Sequence, residues 1–173
     1  MKQKGFTLIE LLVVIAVIGL LASVVLMALN ATRVKARNSR RAADIQQLVK
    51  AFNLAADADG GTFPTTGINQ YFCISSTCSG IWPTNPNVIV DSALAPYIKK
   101  PTDPVDSTRA GGGYIYNSNW PSGNVSPYDG TAWVGGVYLA YLLEPVSIIS
   151  GVCAPGKIWM VDQTYIECLL KLD

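Results

Sequence analysis

Residues 6–29 read FTLIELLVVIAVIGLLASVVLMAL, and between positions 11 and 29 no side chain carries a charge. As a helix, about 20 such residues rise roughly 30 Å, the thickness of the hydrocarbon core of a bilayer. A lone span must satisfy its backbone polar groups internally, so the stretch is predicted to be a helix. Glu10 interrupts the picture of a plain anchor, because a carboxylate at the edge of a bilayer core needs a partner or a purpose. The residues ahead of it, MKQKG at positions 1–5, form a short basic leader ending in glycine. Cleavage after Gly5 would leave Phe6 with a free cationic amine close to Glu10.

Working outward, the 173 residues suit one domain plus this anchor. A secretory signal peptide is cut after its apolar run at a small-x-small site. Here the run is better read as retained, with cleavage before it. Charge is segregated. Residues 31–50 hold Arg33, Lys35, Arg37, Arg40, Arg41 and Lys50 against Asp44, whereas beyond residue 50 there are five basic and ten acidic side chains. By the positive-inside rule this collar argues for a cytoplasmic C-terminus. Four cysteines without any histidine argue instead for an oxidising compartment. We read the head as extracytoplasmic.

The helix is predicted to run on past the span. Ile45, Leu48, Val49, Phe52, Ala55 and Ala56 recur at helical spacing, and Arg37, Arg40, Arg41 and Lys50 fall off that stripe, as a solvated face would. Asp59-Gly60-Gly61 is a stop signal, since glycine accepts a left-handed cap. Residues 62–112 read mostly as connection, with Gly111–Gly113 as a turn and residues 91–98 as a short helix capped by Asp91. Strands are expected at 114–117, over 131–144 with a possible bulge at Gly135-Gly136, and over 157–170 with a break near Asp162-Gln163. Strands following one long helix give an α+β domain, a small antiparallel sheet packed against that helix. The organisation is a leader at 1–5, a transmembrane or filament-core helix at 6–29, an amphipathic continuation at 30–58, and a globular head at 59–173.

The run KGFTLIE at 4–10, followed directly by the apolar stretch, resembles the class III signal of type IV prepilins and type II secretion pseudopilins. Glycine, cleavage site, glutamate and apolar run coincide in register. The resemblance is clear over about residues 1–60 and fainter to about residue 118. It implies cleavage between Gly5 and Phe6 by a prepilin peptidase, N-methylation of Phe6, and pairing of the Phe6 amine with Glu10 of a neighbouring subunit. The implied partners are other copies or related pilins, the peptidase, an inner-membrane assembly platform, and the bilayer before assembly. The implied location is the inner membrane, then a periplasmic or extracellular filament. Residues 99–104, with Tyr114 and Tyr116 downstream, are similar to a stretch of major pseudopilins leading into their sheet. Met27 stands where many members have a kinking proline.

Four cysteines allow three pairings. The local pairs Cys73–Cys78 and Cys153–Cys168 are expected, because each closes a short loop in a segment with few other restraints. The second pair also resembles the C-terminal disulfide loop of many type IV pilins. Without histidine these cysteines do not read as a metal site. Asp103 and Asp106 are read as surface turn acids rather than calcium ligands. No cofactor is expected. The missing histidine, phosphate loop and paired carboxylates leave no basis for an enzyme. The collar lacks the aromatic platform of a neutral nucleic-acid binder, so nucleic acid is not an expected partner. Three readings follow: a structural subunit of a type IV pilin-like filament, a type II secretion pseudopilin, or a membrane-anchored extracytoplasmic binding domain that does not polymerise.

Overall fold

The structure, a computed structural model, describes residues 7–65, 67, 69–81, 85–104, 111–145 and 151–173. Helix α1 spans Leu8–Ala58, and its residues belong to two compact units, 1–36 and 37–173. In the first unit every described large apolar side chain from Leu8 to Leu29 is exposed, from 46% for Val14 and Leu29 to 81% for Leu8. It contains a window of mean hydropathy 3.1, long and apolar enough to cross a membrane. The helix continues through Met27, where no proline interrupts it.

The second unit is a sheet with α1 residues along one face. Strands β1 (Phe72–Cys73), β4 (Tyr114–Trp120), β5 (Gly136–Leu143), β6 (Lys157–Val161) and β7 (Ile166–Lys171) pair antiparallel in the order β1-β4-β5-β7-β6. Ile45, Leu48, Ala51, Phe52 and Ala55 of α1 form one core with Tyr114, Tyr116, Leu139, Tyr141 and Ile166. Phe52 stacks on Tyr116 with ring centroids 4.5 Å apart. The opposite face builds a second core from Ile115, Trp120, Trp133, Tyr138, Leu142 and Leu169. Segment 121–135 is tied to that face where the Ser126 hydroxyl donates to the carbonyl of Trp159. Two covered faces explain why β5 reads as an unbroken apolar run instead of alternating.

Several expectations are corrected. The short helix, α2, is Val88–Leu94, and Asn87 caps it by accepting from the amides of Ile89 and Val90. Asp91 instead pairs with Lys100. Gly111–Gly112 is not a turn but strand β3, paired with β2 (Ser79–Gly80). The chain bends at Gly113, whose φ of +114° suits glycine; a Cβ there would lie 2.5 Å from Cys78 Sγ. Residues 131–135 precede β5 as loop. The break expected near Asp162-Gln163 is present: β6 and β7 are joined there, and the Asp162 side chain accepts from the amide of Thr164.

Candidate assembly site and the clamp on the helix

α1 begins with a reciprocal cap. The Thr7 amide and hydroxyl both donate to Glu10 Oε2, at 2.8 and 2.7 Å, and the Glu10 amide returns a bond to the Thr7 hydroxyl at 3.3 Å. This is a capping box, which satisfies amides that the first helical turn leaves open. Its sequence signature is Thr-x-x-Glu, Thr7 to Glu10, directly ahead of the apolar run. Glu10 therefore has partners within its own chain, and any contact with a neighbour's amine is made by a carboxylate already oriented by Thr7. Gly5 and Phe6 lie outside the described residues.

The collar divides into two groups. Arg33, Lys35 and Arg40 are exposed, as expected of a solvated face. Arg41 is not: it is fully buried, and its Nε donates to Asp103 Oδ1 at 2.6 Å. Its other nitrogens reach Glu144 Oε1 at 2.9 Å and the Pro104 carbonyl at 2.7 Å. Arg37 grips the same Glu144 carboxylate, with Nε to Oε1 at 2.6 Å, and Asn38 exchanges two bonds with the Glu144 backbone. Asp103 is a buried ion-pair partner rather than a surface turn acid, and its second oxygen accepts from the amide of Gly113 at 2.7 Å. Asp106 lies outside the described residues. Burial pushes the Glu144 carboxyl upward, but the Arg37 and Arg41 guanidiniums outweigh it and hold the group below its ordinary range. The cluster fastens α1 to the bend at Gly113, ahead of β4, and to the end of β5. Sequence reading missed it because its members lie 62 to 107 positions apart.

Disulfides join Cys73 to Cys78 and Cys153 to Cys168, with Cα separations of 5.9 and 5.5 Å. The first staples the approach to β4, where Ser75 Oγ accepts from the Tyr114 amide at 3.0 Å. The second ties the loop before β6 to β7, and Tyr141 donates to the Cys153 carbonyl at 2.5 Å. No trio of cysteine, aspartate or glutamate positioned to hold a metal occurs among the described residues.

A prokaryotic N-terminal methylation motif matches residues 1–26. The chain is similar to type II secretion system core protein G of Escherichia coli strain K12, 35% identical over 104 residues, covering 60% of this chain and 67% of that protein. The protein of that name from Vibrio cholerae is 31% identical over 114 residues, covering 66% and 61%. Fimbrial protein EcpC of Eikenella corrodens is 35% identical over 83 residues, covering 48% and 41%. No solved structure is a significant match. The leading motif, the exposed apolar helix, the helix-on-sheet head and these similarities agree: the chain belongs to the type IV pilin and type II secretion pseudopilin family of filament subunits.

Proposed function

We propose that the chain is a structural subunit of a pseudopilus, made as a single-pass inner-membrane precursor, cleaved between Gly5 and Phe6, N-methylated at Phe6 and polymerised through α1. The observation carrying this reading is the methylation motif leading without interruption into an exposed apolar helix. That surface is stable only in lipid or among other helices. The prepilin peptidase and an inner-membrane assembly platform are its partners before assembly. Two disulfides favour an extracytoplasmic head over the orientation argued by the collar. The pseudopilus is preferred to a surface pilus because the relatives with the widest coverage are type II secretion core proteins. The C-terminal disulfide and the fimbrial relative support the surface pilus as second reading.

In assembly, Glu10 meets the Phe6 ammonium of the neighbouring subunit. Within an apolar helix bundle the attraction between such charges is much stronger than in water, and an amine left there alone is costly. Glu10→Ala tests this in cells that carry the assembly machinery. The membrane pool should persist while incorporation into filaments collapses. Incorporation at the wild-type level would refute the ion pair.

A further inference from the structure

The two disulfides sit in unlike surroundings. Cys153 and Cys168 are 2 and 0% exposed and belong to the core that α1 shares with the sheet. Cys73 is 4% exposed, but its partner Cys78 is half-buried and stands among Ser76, Thr77 and Ser79, which are exposed. Thiol–disulfide exchange requires that an attacking thiolate reach one of the two sulfurs. Only the Cys73–Cys78 bridge offers such a sulfur.

Cys78 also supports the seat of the clamp. Its Sγ lies so near Gly113 that a Cβ there would sit 2.5 Å away. The Gly113 amide donates to Asp103 at 2.7 Å, and Asp103 holds Arg41 of α1. Within the same disulfide loop, Ser75 Oγ accepts from the Tyr114 amide at 3.0 Å. Ser76 donates its amide to the Pro101 carbonyl at 2.8 Å, and its hydroxyl lies 2.8 Å from that of Thr102. Both flanks of Asp103, at 101–102 and at the bend 113–114, thus rest on the loop that this disulfide closes.

We infer that Cys73–Cys78 is a thiol–disulfide exchange site whose oxidation state sets how firmly the head holds α1. The co-reactant is a dithiol with one sulfur ionised. Its thiolate attacks Cys78 Sγ, the S–S bond breaks, and Cys73 leaves as a thiolate to which Ser75 Oγ, 3.7 Å away, can donate. The second thiol then attacks the mixed disulfide and frees Cys78. The dithiol is oxidised to a disulfide, and its protons end on Cys73 and Cys78. Once open, the loop is held by its hydrogen bonds alone, and Gly113 and Asp103 lose their firm backing. The inference concerns the head alone and stands whether or not the chain polymerises.

The full chain, oxidised and in detergent, is treated with dithiothreitol and alkylated at intervals. Peptide mapping should show Cys73 and Cys78 labelled at least about tenfold faster than Cys153 and Cys168. Hydrogen exchange of the half-reduced protein should then rise about tenfold in peptides carrying Ser76, Gly113 and Tyr114, with the β5–β7 ladder unchanged. Cys73→Ala with Cys78→Ala should show the same raised exchange without reductant. Labelling of all four cysteines together, or of Cys153 and Cys168 first, overturns the exchange site. Selective reduction that leaves Gly113 and Tyr114 as protected as before overturns the link to the clamp.

Discussion

Arg41 Nε and Asp103 Oδ1 meet at 2.6 Å with side chains 0 and 1% exposed, so the helix that carries the assembly segment is fastened to its head by a buried charge pair. Such a pair is weak evidence for net stability, because removing two charges from water offsets most of their attraction. Its effect is on geometry. With Glu144 it admits one rotation of α1 against the sheet, and that rotation decides which helix face stays outside.

Replacing Arg41 by Met removes the guanidinium buried against Asp103 and Glu144. We expect the head to lose about 3–5 kcal/mol, read from the urea midpoint of the detergent-solubilised chain. Arg41→Met with Asp103→Leu should recover part of that loss, since both members of the buried Arg41–Asp103 pair are then replaced by apolar groups. A loss below about 1 kcal/mol for Arg41→Met, the range of an exposed pair, would contradict the buried clamp.

Glu167 presents the opposite case. It lies on the second face of the sheet, opposite Leu142 on β5 and Met160 on β6, 7% exposed, with no hydrogen bond or ion pair among the described residues. Burial pushes its carboxyl up to about 7. The folded state therefore holds a proton that the unfolded chain releases near its ordinary value. Stability should be fullest below about pH 4.5 for this group, fall as pH rises toward 7, and level off above, with a span of about 3 kcal/mol. Glu167→Gln should flatten this dependence and be the more stable protein at pH 8, the two being similar at pH 4.5. Parallel stability curves for the two proteins across that range would show that Glu167 does not titrate in the fold.

The two disulfides differ in reach, spanning 5 and 15 positions. In the chain-entropy model the longer loop contributes about 3 kcal/mol and the shorter somewhat less. Replacing Cys153 and Cys168 by Ala should lower the midpoint of unfolding more than replacing Cys73 and Cys78. The reverse order would locate the main constraint at the approach to β4.

Thr7→Ala removes the hydroxyl of the capping box and should cost about 1 kcal/mol of helix start. Circular dichroism in detergent should show fraying confined to the first turn, with Glu10 still available to a neighbour. Filament yield should therefore fall less than for Glu10→Ala. Equal losses would mean that orientation by Thr7, not charge, is what assembly needs from this site.

The parts of the fold legible in the sequence are those written in consecutive residues. The apolar run, its flanking glutamate and the stripe from Ile45 to Ala56 are periodic over many positions, and periodicity survives without knowledge of partners. Arg41 shows the limit. It shares a segment with exposed Arg40, and only Asp103 and Glu144, far along the chain, decide that one is core and the other surface. Likewise Asp91 carries the signature of a cap, but Asn87 reaches the open amides first and Lys100 takes the aspartate. The strand pairing of Gly111–Gly112 has no side-chain signal at all, because it depends on the close approach of Ser79–Gly80.

The central claim, a processed subunit that polymerises, is tested most directly by intact-mass spectrometry of protein sheared from cells as filaments. The expected species begins at Phe6 and carries one added methyl group. A filament-bound species that retains Met1, or a chain found only in the membrane fraction while filaments form without it, would contradict the claim.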